Sequence, residues 1–143
     1  MNIVLDTNVL LVSLPTHSKY YPIYQALLNK RFDLFISNEI LTEYEEIFAQ
    51  KLGTARTDLK LQELLNLSNV HSIEPFYNWQ LIETDPDDNK FCDYAVACGA
   101  DYLVTNDRHY AILAQIPFPP ITTIKAEDFL RLITQPIPPL TFL

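Results

Sequence analysis

The chain has 143 residues, 48% of them hydrophobic, which is enough for one globular domain with a sizeable core. Eighteen acidic residues against ten basic ones give a formal net charge of −8, which argues against a protein that coats nucleic acid with a basic face. No apolar stretch approaches the ~20 residues needed to span a bilayer, and the N-terminus lacks the basic start of a signal peptide.

Short apolar runs typical of strands alternate with helical patterns in the first half of the chain. In chain order they predict a strand at Ile3–Leu5, helices at Val9–Leu14 and Tyr21–Asn29, a strand at Leu34–Ile36, a helix after Ser37, a helix at Leu59–Leu67 and a strand at Val70–Ile73. Ser37 is a favoured N-cap for the helix whose apolar positions begin at Ile40.

The second half continues this alternation after a polar cluster at 83–90. It predicts a helix after this cluster, with Phe91 among its apolar residues and Gly99 as its C-cap, a strand at Tyr102–Val104, a helical turn at His109–Ala114, a strand at Ile121–Ile124 and a helix at Ala126–Ile133. The two cysteines, Cys92 and Cys98, fall on one predicted helix, so we interpret them as free thiols of a cytoplasmic protein.

This order of elements predicts an α/β fold with a mainly parallel sheet covered by helices on both faces. No repeat or linker interrupts it, so residues 1–134 are expected to form one domain, followed by a Pro-rich tail at 135–143 that cannot continue a helix. In open parallel sheets, ligands bind beyond the carboxyl ends of the strands. Residues at that edge of the sheet are therefore the first candidates for a functional site.

Several acidic residues are predicted to reach that edge. Asp6 follows the first strand, Asp107 follows the strand at Tyr102–Val104, and Glu43 borders the buried stripe of the helix after the second strand. Asp88 and Asp93 lie in the first turns of the helix that precedes the strand at Tyr102–Val104. Distant parts of the chain would thus bring carboxylates to one place.

Each of these acids also has an explanation without a ligand. Asp6 or Asp107 taken alone could cap a following helix, and Asp87 or Asp88 could be an N-cap residue that complements a helix dipole. Asp93 is equally compatible with exposure to solvent and with the same pocket. Glu39, Glu45 and Glu46 are expected on a solvated face.

Taken together, the carboxylates indicate a site that binds a cation. Close carboxylates repel each other, and oxygen donors without nearby His or Cys favour Mg²⁺ or Mn²⁺ over zinc. An ion held by a few carboxylates with open positions is typical of phosphoryl-transfer enzymes. The chain has only two glycines and no phosphate-binding glycine motif, which excludes nucleotide binding by a P-loop or a dinucleotide fold.

Four blocks of the sequence, in this order, resemble the PIN-domain family. They are IVLDTNVL at 3–10, ISNEILTEY at 36–44, DPDDNKF at 85–91 and GADYLVTND at 99–107. The branch they are most similar to is the VapC toxins of type II toxin–antitoxin pairs, and IKAEDFL at 124–130 resembles the last strand and helix of that branch. The resemblance extends over nearly the whole chain.

This resemblance implies a three-layer α/β/α sandwich with four to five strands and a metal-dependent ribonuclease. The family's four acids match Asp6, Glu43, Asp88 and Asp107, with the third uncertain between Asp87 and Asp88. Asp93 matches a further position that is often acidic, and Asn8 and Thr105 match supporting polar positions. Asn106 departs from the glycine often found there. The implied reaction is hydrolysis of RNA phosphodiester bonds with Mg²⁺ or Mn²⁺.

The implied partners are RNA, an antitoxin protein and a second copy of the chain in a homodimer, with no membrane. Lys90 and Arg108 lie beside predicted site residues and are candidates for substrate contacts. Two alternatives remain open at this point. One is an RNA-processing or single-strand nuclease without an antitoxin, and the other is a non-enzymatic module that binds a metal or another protein.

Overall fold

The computed structural model describes residues 1–73, 86–108, 110 and 121–134, and at 86–89 it describes the backbone alone. Its strands are β1 (Asn2–Leu5), β2 (Asp33–Ile36), β3 (Val70–Ser72), β4 (Tyr102–Val104) and β5 (Thr123–Ile124). Its helices are α1 (Thr7–Ser13), α2 (Tyr21–Leu28), α3 (Asn38–Leu52), α4 (Thr54–Leu65), α5 (Pro86–Ala97) and α6 (Ala126–Thr134).

The strands form one sheet in the order β3-β2-β1-β4-β5, and every pair is parallel. The predicted α/β/α sandwich with a parallel sheet is confirmed, with five strands. β1 is central, so Ile3, Val4 and Leu5 have no exposure to solvent. This is the burial expected of a strand that is apolar at consecutive positions.

The helices pack on the sheet through their apolar residues. α2 packs against α1 and α6, α3 packs against α4, and α5 contacts β1 and β4. Ser37 caps α3 as predicted, because its hydroxyl accepts a hydrogen bond from the Ile40 backbone N–H at 3.1 Å. Gly99 follows the end of α5 with φ +61°, a conformation that favours glycine.

Some predicted boundaries were wrong. α1 begins at Thr7 instead of Val9, and α4 begins at Thr54 instead of Leu59. Leu59 is 67% exposed, because α4 buries Thr57, Leu61 and Leu64 instead. The predicted turn at His109–Ala114 falls largely outside the described residues, and the tail at 135–143 falls wholly outside them.

The state of the cysteines agrees with their interpretation as thiols that are not part of a disulfide. Cys92 is buried and Cys98 is half-buried, and neither forms a disulfide. Burial raises the pKa of the Cys98 thiol to about 11, which makes it a poor nucleophile. None of the helices described has the length and apolar character that a membrane span requires.

Candidate active site

The register of the sheet places Asp6 and Thr105 side by side. Leu5 pairs with Val104 in the parallel ladder, and the Asp6 backbone N–H donates to the Val104 carbonyl at 3.0 Å. Thr105, only 4% exposed, donates its hydroxyl to Asp6 Oδ2 at 2.8 Å. Two strand ends far apart in sequence thus fix the orientation of one carboxylate.

The Asp6 side chain does not cap α1. Its carbonyl accepts the first helical hydrogen bond, from Leu10 N–H at 3.1 Å, but its carboxylate makes no capping hydrogen bond. Asp6 is thus the N-cap residue of α1 by its backbone position, but side-chain capping does not explain its carboxylate. The carboxylate is held by Thr105 at the carboxyl end of the sheet, where a ligand would meet it.

Acidic charge converges on Asp6. Burial raises the pKa of the Asp6 carboxyl above its ordinary value, and the charges of Glu43 and Asp107 raise that pKa further. The Thr105 hydroxyl and the Thr7 backbone N–H act in the opposite direction. The carboxylates of Glu43 and Asp107, which belong to other parts of the chain, are therefore close enough to disfavour the charge of Asp6.

Glu43 is held by two groups. The Thr7 hydroxyl donates to Glu43 Oε2, and Lys90 Nζ lies 2.7 Å from Glu43 Oε1. The side chains of Lys90 and Glu43 are 14% and 24% exposed, so the ion pair is largely shielded from water. α1, α3 and α5 are joined at this point, and Lys90 supplies positive charge beside the acidic cluster.

The segment after β4 is fixed by hydrogen bonds within itself, to Asp6 and to the start of α6. The Asp107 backbone N–H donates to the Thr105 hydroxyl at 3.1 Å, so Thr105 connects Asp6 to the Asp107 backbone. Asn106 Oδ1 accepts from the Ala126 backbone N–H at 2.9 Å. This contact satisfies one of the unpaired N–H groups at the start of α6, which is a local use for the asparagine that stands where glycine was expected.

The other predicted site residues have different surroundings. Asp93 on α5 is only 5% exposed, so its interpretation as a solvent-facing residue is wrong. Asn8 is exposed, and its side chain makes no hydrogen bond within the part of the chain that the structure describes. The side chains of Asp87 and Asp88 lie outside the described residues, so the choice between them stays open.

Two buried tyrosines fix helices to strand ends. Tyr44 follows Glu43 in sequence and donates its hydroxyl to the Leu5 carbonyl at 2.6 Å, one residue before Asp6. Tyr94 follows Asp93, donates to the Ile36 carbonyl at the end of β2 and accepts from the Ile73 N–H at 2.8 Å. The Tyr44 hydroxyl thus positions α3, which carries Glu43, against the end of β1. The Tyr94 hydroxyl positions α5, which carries Asp93, against the end of β2.

We expect Tyr44→Phe to lower the free energy of unfolding by about 1–2 kcal/mol, because it removes a buried donor and leaves a buried carbonyl with one partner fewer. Thermal unfolding measures the loss. Tyr20→Phe is the matched control, because the Tyr20 hydroxyl makes no hydrogen bond within the described residues. Equal melting temperatures for the two variants would contradict a stabilising role for the Tyr44 contact.

Sequence reasoning missed several of these groups. The sequence gives no sign that Thr7 is a partner of Glu43, and it offers Lys90 only as a contact for substrate. It also assigns no hydrogen-bonding role to Tyr44 or Tyr94. The signal available was position, since Thr7 directly follows Asp6 and Tyr44 directly follows Glu43.

In the described part of the chain, two grooves adjoin the acidic residues. One, of about 370 Å³, is lined by Asn38, Glu39, Thr42, Glu43, Glu46 and Lys90. The other, of about 490 Å³, lies beyond the ends of β4 and β5 and is lined by Thr105, Asn106, Asp107, Arg108, Tyr110, Thr123, Ile124, Lys125 and Asp128. We call them the α3 groove and the β4–β5 groove.

The donor chemistry fits a hard divalent cation. Asp6, Glu43 and Asp107 offer carboxylate oxygens, the ligands that Mg²⁺ and Mn²⁺ prefer. A cation would relieve the unfavourable effect of Glu43 and Asp107 on the charge of Asp6. Within the described residues, however, no three acidic, His or Cys side chains are close enough to form a complete metal site.

Comparisons with known proteins agree with this picture. A family model described as the PIN domain matches residues 2–109, and no curated protein sequence matches the chain. The fold is similar to a chain of VapBC2 from Rickettsia felis bound to a DNA fragment from its promoter, with a TM-score of 0.62 and 22% identity over 87% of this chain and 98% of that one. It is also similar to a chain of DNA-bound VapBC from Salmonella typhimurium, with a TM-score of 0.62 and 17% identity over 88% of this chain and 98% of that one.

Proposed function

The chain belongs to the PIN domain family, and from this premise we propose that it is a divalent-metal-dependent endoribonuclease, the toxin of a toxin–antitoxin pair. The observation that supports this most is Asp6. Its carboxylate is held by Thr105 at the end of the central strand, makes no capping hydrogen bond, and is close to the charges of Glu43 and Asp107. A site for a cation accounts for that arrangement.

In this proposal Asp6, Asp88 and Asp107 would hold the ion. Glu43 and Asp93 would be further acidic residues next to it. When bound, the ion would neutralise charge on the phosphate and make a water more acidic. Asn8 and Thr105 would support these acids. We assign the third acidic position to Asp88, as in the family pattern.

The chain's own groups then have separate tasks. Thr105 fixes the rotamer of Asp6, and the Thr7 hydroxyl together with Lys90 fixes the Glu43 carboxylate. Glu43 would orient the water whose oxygen forms the new bond to phosphorus as the bond to the leaving sugar oxygen breaks. Orientation of this kind needs groups held within a fraction of an ångström, and two donors on one carboxylate provide it.

The proposed partners are RNA as substrate, an antitoxin that covers the acidic site, and a second copy of the chain. The similar structures from Rickettsia felis and Salmonella typhimurium are VapBC complexes, which supports the choice of an antitoxin as partner. A short reading frame beside the gene for this chain is the expected source of that antitoxin. Its absence would favour a nuclease that acts without one.

The test of this function is cleavage of end-labelled RNA by the purified full chain. We expect cleavage with Mg²⁺ or Mn²⁺, none in EDTA, and recovery when the metal is added back. Asp107→Asn is expected to lose about 10²-fold or more, as typically follows removal of one group that binds a catalytic charge. Asp58→Asn is the matched control, because Asp58 is exposed on α4. Cleavage that persists in EDTA, or in Asp107→Asn protein, would contradict the proposal.

A further inference from the structure

The net charge of −8 raises the question of where a polyanion binds. All ten Lys and Arg residues lie in the described part of the chain. Lys19 pairs with Glu127, Lys90 with Glu43, and Arg131 with Glu127 and Asp128. Their charges are already matched by acids, so they attract a phosphate less than an unpaired cation would.

The two grooves beside the acidic residues differ in charge. Among the described residues, the α3 groove is lined by three glutamates and one cation, Lys90, which is paired with Glu43. The β4–β5 groove contains two cations, Arg108 and Lys125, against Asp107 and Asp128. The Oδ1 atom of Asp128 lies 3.5 Å from Nη1 of Arg131, and this guanidinium offsets the charge of the Asp128 carboxylate.

Arg108 and Lys125 reach this groove from neighbouring strands. Arg108 follows Asp107 after β4, and Lys125 follows directly on β5, which is parallel to β4. Both side chains are exposed, and neither forms an ion pair with any residue that the structure describes. The groove is therefore the one place at this edge of the described chain where unpaired positive charge adjoins a candidate catalytic acid.

Resting on the proposed function, we infer that the β4–β5 groove binds the phosphate backbone of single-stranded RNA next to the acidic site, through Arg108 and Lys125. Its volume of about 490 Å³ lies within the range of ~300–1,000 Å³ typical of ligand pockets. The α3 groove repels phosphate with Glu39 and Glu46. Lys90, by contrast, is a positioning residue for Glu43 and does not contact the RNA.

The experiment measures binding. A fluorescently labelled single-stranded RNA is titrated with the full-length Asp6→Asn chain in Mg²⁺ at several salt concentrations, and a gel verifies that the RNA stays intact. In that background we compare Arg108→Gln/Lys125→Gln with Lys51→Gln/Arg56→Gln. The second pair removes the same charge from the last turn of α3 and the first turn of α4, where neither residue lines a groove.

We expect the Arg108→Gln/Lys125→Gln pair to weaken binding about 10-fold or more at low salt. The slope of log K against log salt should fall by roughly 1.4, about 0.7 for each lost phosphate contact on a single strand. The control pair should change affinity less than about 2-fold, because salt screens charges that are far from the bound RNA. Circular dichroism verifies that each variant is folded.

Equal weakening by the two pairs would overturn the inference, because net charge alone would then explain binding. Unchanged binding in the Arg108→Gln/Lys125→Gln chain would overturn it as well. The readout separates this inference from the proposed function. A chain that binds RNA through these residues but does not cleave it contradicts only the proposed function, and a cleaving chain that binds without them contradicts only the inference.

Discussion

Asp6→Asn is expected to reduce RNA cleavage by about 10²–10⁴-fold, the range typical of losing one group that stabilises charge or moves a proton. The same substitution is expected to raise the melting temperature of the metal-free protein. Burial and the charges of Glu43 and Asp107 disfavour the Asp6 carboxylate, whereas an amide at this position carries no charge. Its oxygen still accepts the hydrogen bond from Thr105.

The pH dependence has a definite sign. Because the pKa of Asp6 is raised in the folded state, the folded protein holds this proton more tightly than the unfolded chain does. The free energy of unfolding of the wild type therefore falls as pH rises from the ordinary Asp value of 3.8 through the raised folded value, and stays lower above it. The advantage of Asp6→Asn should grow over that window.

Thermal unfolding in EDTA between pH 4 and pH 8 measures this advantage. For a chain of this size, 1 kcal/mol corresponds to a shift of about 3 °C in melting temperature. Asp58→Asn is again the matched control, since it removes an exposed carboxylate. A lower melting temperature for Asp6→Asn at neutral pH would show that Asp6 stabilises the fold, and the interpretation of Asp6 as a residue kept for ligand binding would be wrong.

The positions of the strand ends could be predicted from the sequence, because a buried strand is a short run of consecutive apolar residues. Apolar runs such as Ile3–Leu5 must be buried in a parallel sheet, and parallel strands bring their carboxyl ends to one edge. The sequence therefore predicted Asp6 and Asp107 at the same edge, whereas their closeness also depends on β1 and β4 being neighbours in the sheet. The side-by-side arrangement of Asp6 and Thr105 follows from the same register.

Contacts between helices could not be predicted in this way. The Glu43 carboxylate meets Thr7 and Lys90 because of how α1, α3 and α5 pack, and packing depends on side chains distributed over the whole chain. The start of α4 was missed for a related reason. Gly53, with φ +81°, ends α3 and lets α4 begin at once, although the apolar pattern becomes regular only later.

Removal of the ion pair between Glu43 and Lys90 is the second change with a large expected effect, a loss of stability. We expect Lys90→Met to lower the free energy of unfolding by about 2 kcal/mol in EDTA, less than the 3–5 kcal/mol typical of a fully buried pair because both side chains are partly exposed. In the wild type, the Lys90 ammonium lies 2.7 Å from the Glu43 carboxylate. In Lys90→Met, that carboxylate keeps its unfavourable neighbour Asp6 and loses this cation. Melting temperature should fall by about 6 °C.

Glu43→Gln should be milder, since the new amide oxygen still accepts from Thr7 and the repulsion of Asp6 is removed. The double variant Glu43→Gln/Lys90→Met should then be more stable than Lys90→Met alone, because no charge is left without its partner. Lys19→Met, which breaks the exposed pair with Glu127, is the matched control and should leave the melting temperature unchanged. If the effects of the two single substitutions simply add in the double variant, Lys90 does not compensate Glu43, and its position beside the acidic residues would need another explanation.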